Sequence, residues 1–102
     1  MHMPGSMTIN ESGHLAIGEL DLVKLAEQYG TPVYVYDEAL IRDRCREYRE
    51  ALGRYYPQGK VIFAGKAFIT LAMCRLLIQE GMGLDVVSEG ELYIAARAGF
   101  PM

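Results

Sequence analysis

Two strand-then-helix repeats in the second half of the chain constrain its fold more than any other feature. Val61-Ile62-Phe63-Ala64 is a short, wholly apolar run of the kind buried in a parallel sheet, and Gly65-Lys66 ends it. Residues 67–80 read as a mostly buried helix, with Thr70, Arg75 and Gln79 as its polar exceptions and Gly81 and Gly83 breaking it. Leu84-Asp85-Val86-Val87 repeats the buried-strand pattern. Ser88 then begins a helix running to about Ala98, and Gly99 terminates it. With connections this short, consecutive strands run parallel with right-handed crossovers, an α/β arrangement. Two such units cannot close a sheet, and a barrel of eight needs roughly 250 residues. The chain, ending at Phe100-Pro101-Met102 just after a helix, is therefore expected to be part of something larger.

The first half is organised differently. Met1-His2-Met3-Pro4-Gly5-Ser6 looks like an artificial leader, with Met7 as the native start, and residues 1–6 are set aside from fold reasoning. Asp21 is placed to cap a short helix with Leu22, Leu25, Ala26 and Tyr29 on one face, and Gly30 stops it. Thr31-Pro32 forces an extended entry into Val33-Tyr34-Val35-Tyr36, whose β-branched and aromatic residues predict a strand. That strand has no hairpin neighbour, so residues 7–37 form a segment whose strand would pair with a region beyond this chain. Asp37 caps a long helix with Ile41, Cys45, Tyr48, Leu52 and Tyr55 as its apolar stripe, and Pro57-Gln58-Gly59 turns the chain.

Composition bounds the function classes. Hydrophobic residues make up 51% and charged residues 23%, as in ordinary globular domains. The net charge of −3 leaves no basic stripe to neutralise a phosphate backbone, so no nucleic-acid partner is expected. Arg75, Gln79 and Glu80 interrupt the longest apolar stretch, so no membrane span is expected. Cys45 and Cys74 are far apart in sequence and fall in helices, which fits a reducing compartment, no metal site and a cytoplasmic protein. His14 has no visible acid or nucleophile partner. Tyr55-Tyr56 and the methionines read as packing or leader residues.

Parallel α/β folds place their sites at the carboxyl ends of the strands, and Lys66 stands at such an end. Following a run of apolar and small residues, its amine is expected near low-dielectric surroundings, which favour the neutral, nucleophilic form. Gly65 would let a flat ring approach closely. A lysine ending a strand is more often merely solvated, so position alone does not assign chemistry.

Four segments in register add to this. Phe63-Ala64-Gly65-Lys66-Ala67 resembles the cofactor-lysine motif of the alanine-racemase-like pyridoxal-phosphate barrel decarboxylases. The run from Gly83 through Asp85, Ser88 and Glu91 to Leu92 resembles their second-strand motif. Gly30-Thr31-Pro32-Val33-Tyr34-Val35-Tyr36-Asp37 resembles the segment preceding the barrel in the diaminopimelate decarboxylases, and Ala98-Gly99-Phe100-Pro101 fits as well. The resemblance spans roughly residues 13–101. It departs at Glu89, where such enzymes carry a small residue and where a first-turn carboxylate suits the helix dipole.

The resemblance implies a fold and an activity. Residues 38–102 would be the N-terminal part of a pyridoxal-phosphate-binding (β/α)8 barrel. Lys66 would bind pyridoxal 5'-phosphate as a Schiff base. Asp85 would lie near that lysine, against the alternative of a structural ion pair. Glu91 would lie close to the site, although Ser88-x-x-Glu91 is also a capping box. The reaction implied is decarboxylation of meso-diaminopimelate to L-lysine by a homodimer or larger self-association, on an amino-acid substrate. The phosphate-binding and pyridine-nitrogen partners would come from later strands, so the 102 residues alone are expected to be inactive. An ornithine or arginine decarboxylase, an alanine racemase, or a non-catalytic folding or assembly fragment are the alternatives.

Overall fold

The computed structural model describes residues 3–101; Met1 and His2 of the expected leader, and Met102, lie outside the described residues. The chain divides into two compact units, one running to Asp43 and the other from Arg44.

The first unit opens with an antiparallel meander that the sequence pattern does not announce: β1 (Met7–Ile9), β2 (Leu15–Ile17) and β3 (Leu20–Asp21). Met7 pairs with Ile17, Ile9 with Leu15 and Ile17 with Leu20. The β1–β2 connection is built on Asn10, whose Oδ1 accepts the amides of Ser12 and His14, each at 3.0 Å. Gly18 and Glu19 form the β2–β3 connection with φ of 57° and 69°, the backbone sense that two-residue hairpins need. Helix α1 (Leu22–Tyr29) starts at the expected Asp21, whose Oδ1 accepts from the Val23 and Lys24 amides. It ends at the expected Gly30, whose φ of 84° lies in the glycine-favoured region.

Ser6, assigned to the leader, takes part in this unit. Its amide and hydroxyl both donate to Asp37 Oδ2, at 2.8 and 2.9 Å, and its hydroxyl oxygen accepts from the Gly18 amide at 2.8 Å. Val33–Tyr36, expected as a strand pairing with a region beyond this chain, forms no strand with the described residues. Those residues are irregular and exposed after a cis Thr31–Pro32 bond, and no described residue pairs with them as a strand. Strand structure requires a ladder partner, which propensity cannot supply.

Asp37 caps α2 (Glu38–Tyr55) through the Leu40 amide, as expected. The apolar stripe of that helix is less buried than its pattern implies. Cys45 is covered, whereas Tyr48 and Tyr55 are 65% and 78% exposed.

The second unit carries the βαβα order read from sequence. Strands β4 (Ile62–Ala64) and β5 (Gly83–Asp85) are parallel, pairing Ile62 with Gly83 and Ala64 with Asp85. Helix α3 covers Leu71–Gln79 rather than beginning at 67: a 3-10 turn (Gly65–Ala67) intervenes, and Thr70 is the N-cap, accepting from the Met73 amide at 3.0 Å. The hydroxyl that looked like a mid-helix exception is therefore the start signal. Helix α4 (Glu89–Ala98) begins at Ser88 and ends at Gly99, φ 97°. There the Gly99 and Phe100 amides return to the Ala96 and Ala95 carbonyls.

Met73, Cys74, Leu76, Leu77, Met82 and Ala95 form the core of this unit, where α3 packs on α4 and β5. Burying one such leucine contributes about 2–3 kcal/mol. Buried Glu80 closes α3, with its carboxylate gripped by the Arg46 guanidinium at 3.0 and 3.2 Å. Its carbonyl accepts from Arg49. The strands themselves are not the fully buried kind expected: Ile62 is 61% exposed, and Ala64 and Asp85 are also exposed. A two-stranded sheet leaves surface that a larger one would cover.

Candidate active site

The carboxyl ends of β4 and β5 bring the expected residues to one rim. Gly65-Lys66-Ala67 follows β4 directly, Asp85 ends β5, and Glu91 lies in the first turn of α4. The link between them is Gly65. A Cβ there would lie 2.9 Å from the Asp85 carbonyl oxygen, 3.2 Å from Glu91 Oε1 and 3.2 Å from Leu84 Cδ1. The missing side chain thus lets the lysine-bearing turn sit against the β5 backbone. The space expected for a ring is taken, in the Cβ direction, by the chain's own atoms.

Lys66 is exposed, so the low-dielectric surroundings expected of its amine are not supplied by the described residues. The apolar run before it lies in a strand that is itself half open to solvent. Asp85 is likewise exposed, and no ion pair or side-chain hydrogen bond among the described residues engages either group. The structural ion pair weighed for Asp85 is thus absent among them. Glu91 is engaged. Its Oε1 accepts from the Val87 amide and its Oε2 from the Ser88 hydroxyl, both at 3.2 Å, while the Glu91 amide donates to Ser88 Oγ at 3.1 Å. This is the capping relation expected, shifted one residue back from the usual N-cap amide.

These residues fit pyridoxal phosphate. A primary amine that is exposed can reach an aldehyde, and a carboxylate on the same rim, unpaired among the described residues, can meet a cationic group. A hollow of about 410 Å3 lined by Lys60, Ile62, Ile78, Met82, Gly83 and Phe100 lies at the opposite, amino ends of the strands, away from this chemistry.

In the first unit, His14 does have an acid partner. Its Nδ1 lies 2.9 Å from Asp21 Oδ2, which also accepts from the Asn10 side-chain amide at 2.9 Å. The intervening residues fold into a hairpin, so nothing in a linear reading pointed to the pair. The His14 contact is the main reason the Asp21 carboxyl is held far below the usual carboxylate range, with burial opposing it and the Asn10, Lys24 and Val23 donors adding to it. No group of three or more histidine, cysteine, aspartate or glutamate side chains among the described residues is arranged to hold a metal. Among the described residues, no helix is long and apolar enough to cross a membrane.

Known proteins resemble the chain over its whole length. Diaminopimelate decarboxylase of Bacillus methanolicus is 50% identical over 102 residues, all of this chain and 24% of that protein. The Bacillus subtilis enzyme of the same name is 50% identical over 101 residues, 99% of this chain and 23% of that protein. That of Methanothermobacter thermautotrophicus is 48% identical over 92 residues, 90% of this chain and 22% of that protein. The chain thus spans about a quarter of the length of the curated relatives it matches. Residues 38–102, which carry both parallel strands and the Lys66 turn, match the family described as pyridoxal-dependent decarboxylase, pyridoxal binding domain, and the chain belongs to that family.

Proposed function

We propose that this chain forms the cofactor-anchoring edge of a pyridoxal-phosphate enzyme that decarboxylates meso-diaminopimelate to L-lysine and carbon dioxide. The observation carrying this reading is an exposed lysine amine, unpaired among the described residues, one residue beyond a glycine seated on the neighbouring parallel strand. The four motifs in register and the names of relatives identical at about half of all positions support the substrate. On this reading β4 and β5 belong to a (β/α)8 barrel, the enzyme is a cytoplasmic homodimer, and its second subunit completes the site.

Lys66 Nζ would hold the cofactor through its aldehyde group, the lysine supplying the amine nucleophile. Bound pyridoxal phosphate supplies the electron sink that lets a carboxylate leave as carbon dioxide. Asp85, with no partner of its own among the described residues, holds a negative charge on the rim for a cationic group of cofactor or substrate. Glu91 has both oxygens engaged and shapes the rim.

The test is reductive trapping with pyridoxal phosphate and borohydride, followed by peptide mass mapping. Lys24 and Lys60, the other two lysines, serve as internal references. Faster and more complete labelling at Lys66 supports the reading; equal labelling of all three overturns it. In the complete enzyme carrying this segment, Lys66→Ala should abolish carbon dioxide release from meso-diaminopimelate.

A further inference from the structure

The turn that carries Lys66 has little to hold it in place by itself. It is a short 3-10 turn whose backbone bond runs from the Phe68 amide to the Gly65 carbonyl at 3.2 Å, and among the described residues no side chain caps its start. Its position must come from the atoms it leans on. Both the Asp85 carbonyl oxygen of β5 and Glu91 Oε1 lie in the direction a Gly65 Cβ would take, 2.9 and 3.2 Å from it.

That oxygen is not a loose surface carboxylate. A capping-box glutamate ordinarily reaches back to the amide of the N-cap residue. Here the carboxylate reaches one residue further, to the Val87 amide, and is held a second time by the Ser88 hydroxyl. Those two bonds draw it over the β5–α4 connection and hold it against Gly65, within 3.2 Å of where a Cβ would lie. A side chain tied at both oxygens loses little further freedom when it serves as a wall.

We infer that Glu91 is a positioning residue: anchored by Val87 and Ser88, its carboxylate braces the Gly65–Ala67 turn and so sets where the Lys66 amine is presented. The inference rests on the proposed reading of Lys66 as the cofactor lysine. The brace acts through shape and hydrogen bonding, so glutamine, which keeps the volume and an acceptor oxygen, should substitute for glutamate.

The experiment uses the full chain with pyridoxal phosphate as the probe. It reads the trapping rate at Lys66 relative to Lys24 and Lys60, and in parallel the amide hydrogen exchange of Phe68, which reports closure of the turn. Glu91→Ala is expected to slow relative trapping at Lys66 several-fold and to speed Phe68 exchange. Glu91→Gln is expected to restore both, and Glu89→Ala, which removes a first-turn charge that is not among the atoms nearest the Gly65 Cβ direction, to change neither. Wild-type behaviour of Glu91→Ala overturns the inference, as does a Gln variant that fails as badly as Ala, because charge and not bracing would then be the cause. Should Glu91→Ala unfold α4, Gly65→Ala intrudes on the same oxygen from the other side, and an unchanged Phe68 exchange rate there overturns the brace. Absence of preferential Lys66 labelling in the wild type removes the cofactor reading instead, and Phe68 exchange still decides whether the turn is braced.

Discussion

The two units are held together by different physics. The unit up to Asp43 buries little apolar surface, with Ala16 and Ile17 its covered residues. Its order comes from two aspartates that each gather several donors. Asp21 joins His14, Asn10 and the start of α1, and Asp37 joins Ser6 and the start of α2. The unit from Arg44 is built on apolar side chains from α3, β5 and α4, with one buried carboxylate clamped by arginine. A short chain can order itself either by satisfying backbone donors locally or by removing apolar surface from water. The second route tolerates far less change at any single residue.

That contrast can be broken from either side. The largest effect is expected at Leu77, which is fully buried: Leu77→Ala should cost about 3 kcal/mol by transfer and cavity terms together. Urea unfolding measures it, and faster amide exchange along α3 and α4 would locate it. Next is Arg46→Ala, which strips the guanidinium from the buried Glu80 carboxylate. It should cost about 1–2 kcal/mol, less than a fully buried pair because the arginine side chain is half exposed. In the first unit, Asp37→Ala should cost about 1 kcal/mol through loss of the α2 cap. The Ser6 and Leu40 amide exchange rates should both rise with it.

The smallest effect is a pH dependence. The Asp21 carboxyl is depressed in the folded chain, chiefly by His14. Its contribution is therefore present above the unfolded carboxyl value of about 3.9 and is lost as pH falls below it towards the folded value. His14→Ala should lower the stability of this unit at neutral pH and make its loss in acid shallower, because less of the carboxyl's shift remains to be lost. The Val23 and Lys24 amide shifts, followed from neutral pH into acid, report it. An unchanged acid titration in His14→Ala would show that the pair contributes nothing.

The features legible in the sequence were mostly local. Asp21, Asp37, Ser88, Gly30 and Gly99 mark helix ends because capping involves residues within a turn of one another. The parallel order of β4 and β5 follows from strand–helix–strand spacing. Thr70 was misread because a hydroxyl inside an apolar run looks the same whether it interrupts a helix or starts one. Lys66 was readable from its place at a strand end, whereas Asp85 and Glu91 were named as site residues only through the resemblance of the second-strand motif. The capping of Glu91 was legible too, although not its reach to Val87.

By itself, then, the chain's sequence determined the helix boundaries that caps specify, the α/β order of its second half, and family membership through motif spacing. The tertiary structure decided the features that depend on partners distant along the chain. It left Val33–Tyr36 without a ladder among the described residues, paired His14 with Asp21, exposed Lys66 and filled the Cβ direction of Gly65 with Asp85 and Glu91. The physical reason is that propensity and capping act over a few residues. Burial, strand pairing and close approach are set by whichever atoms the fold brings alongside.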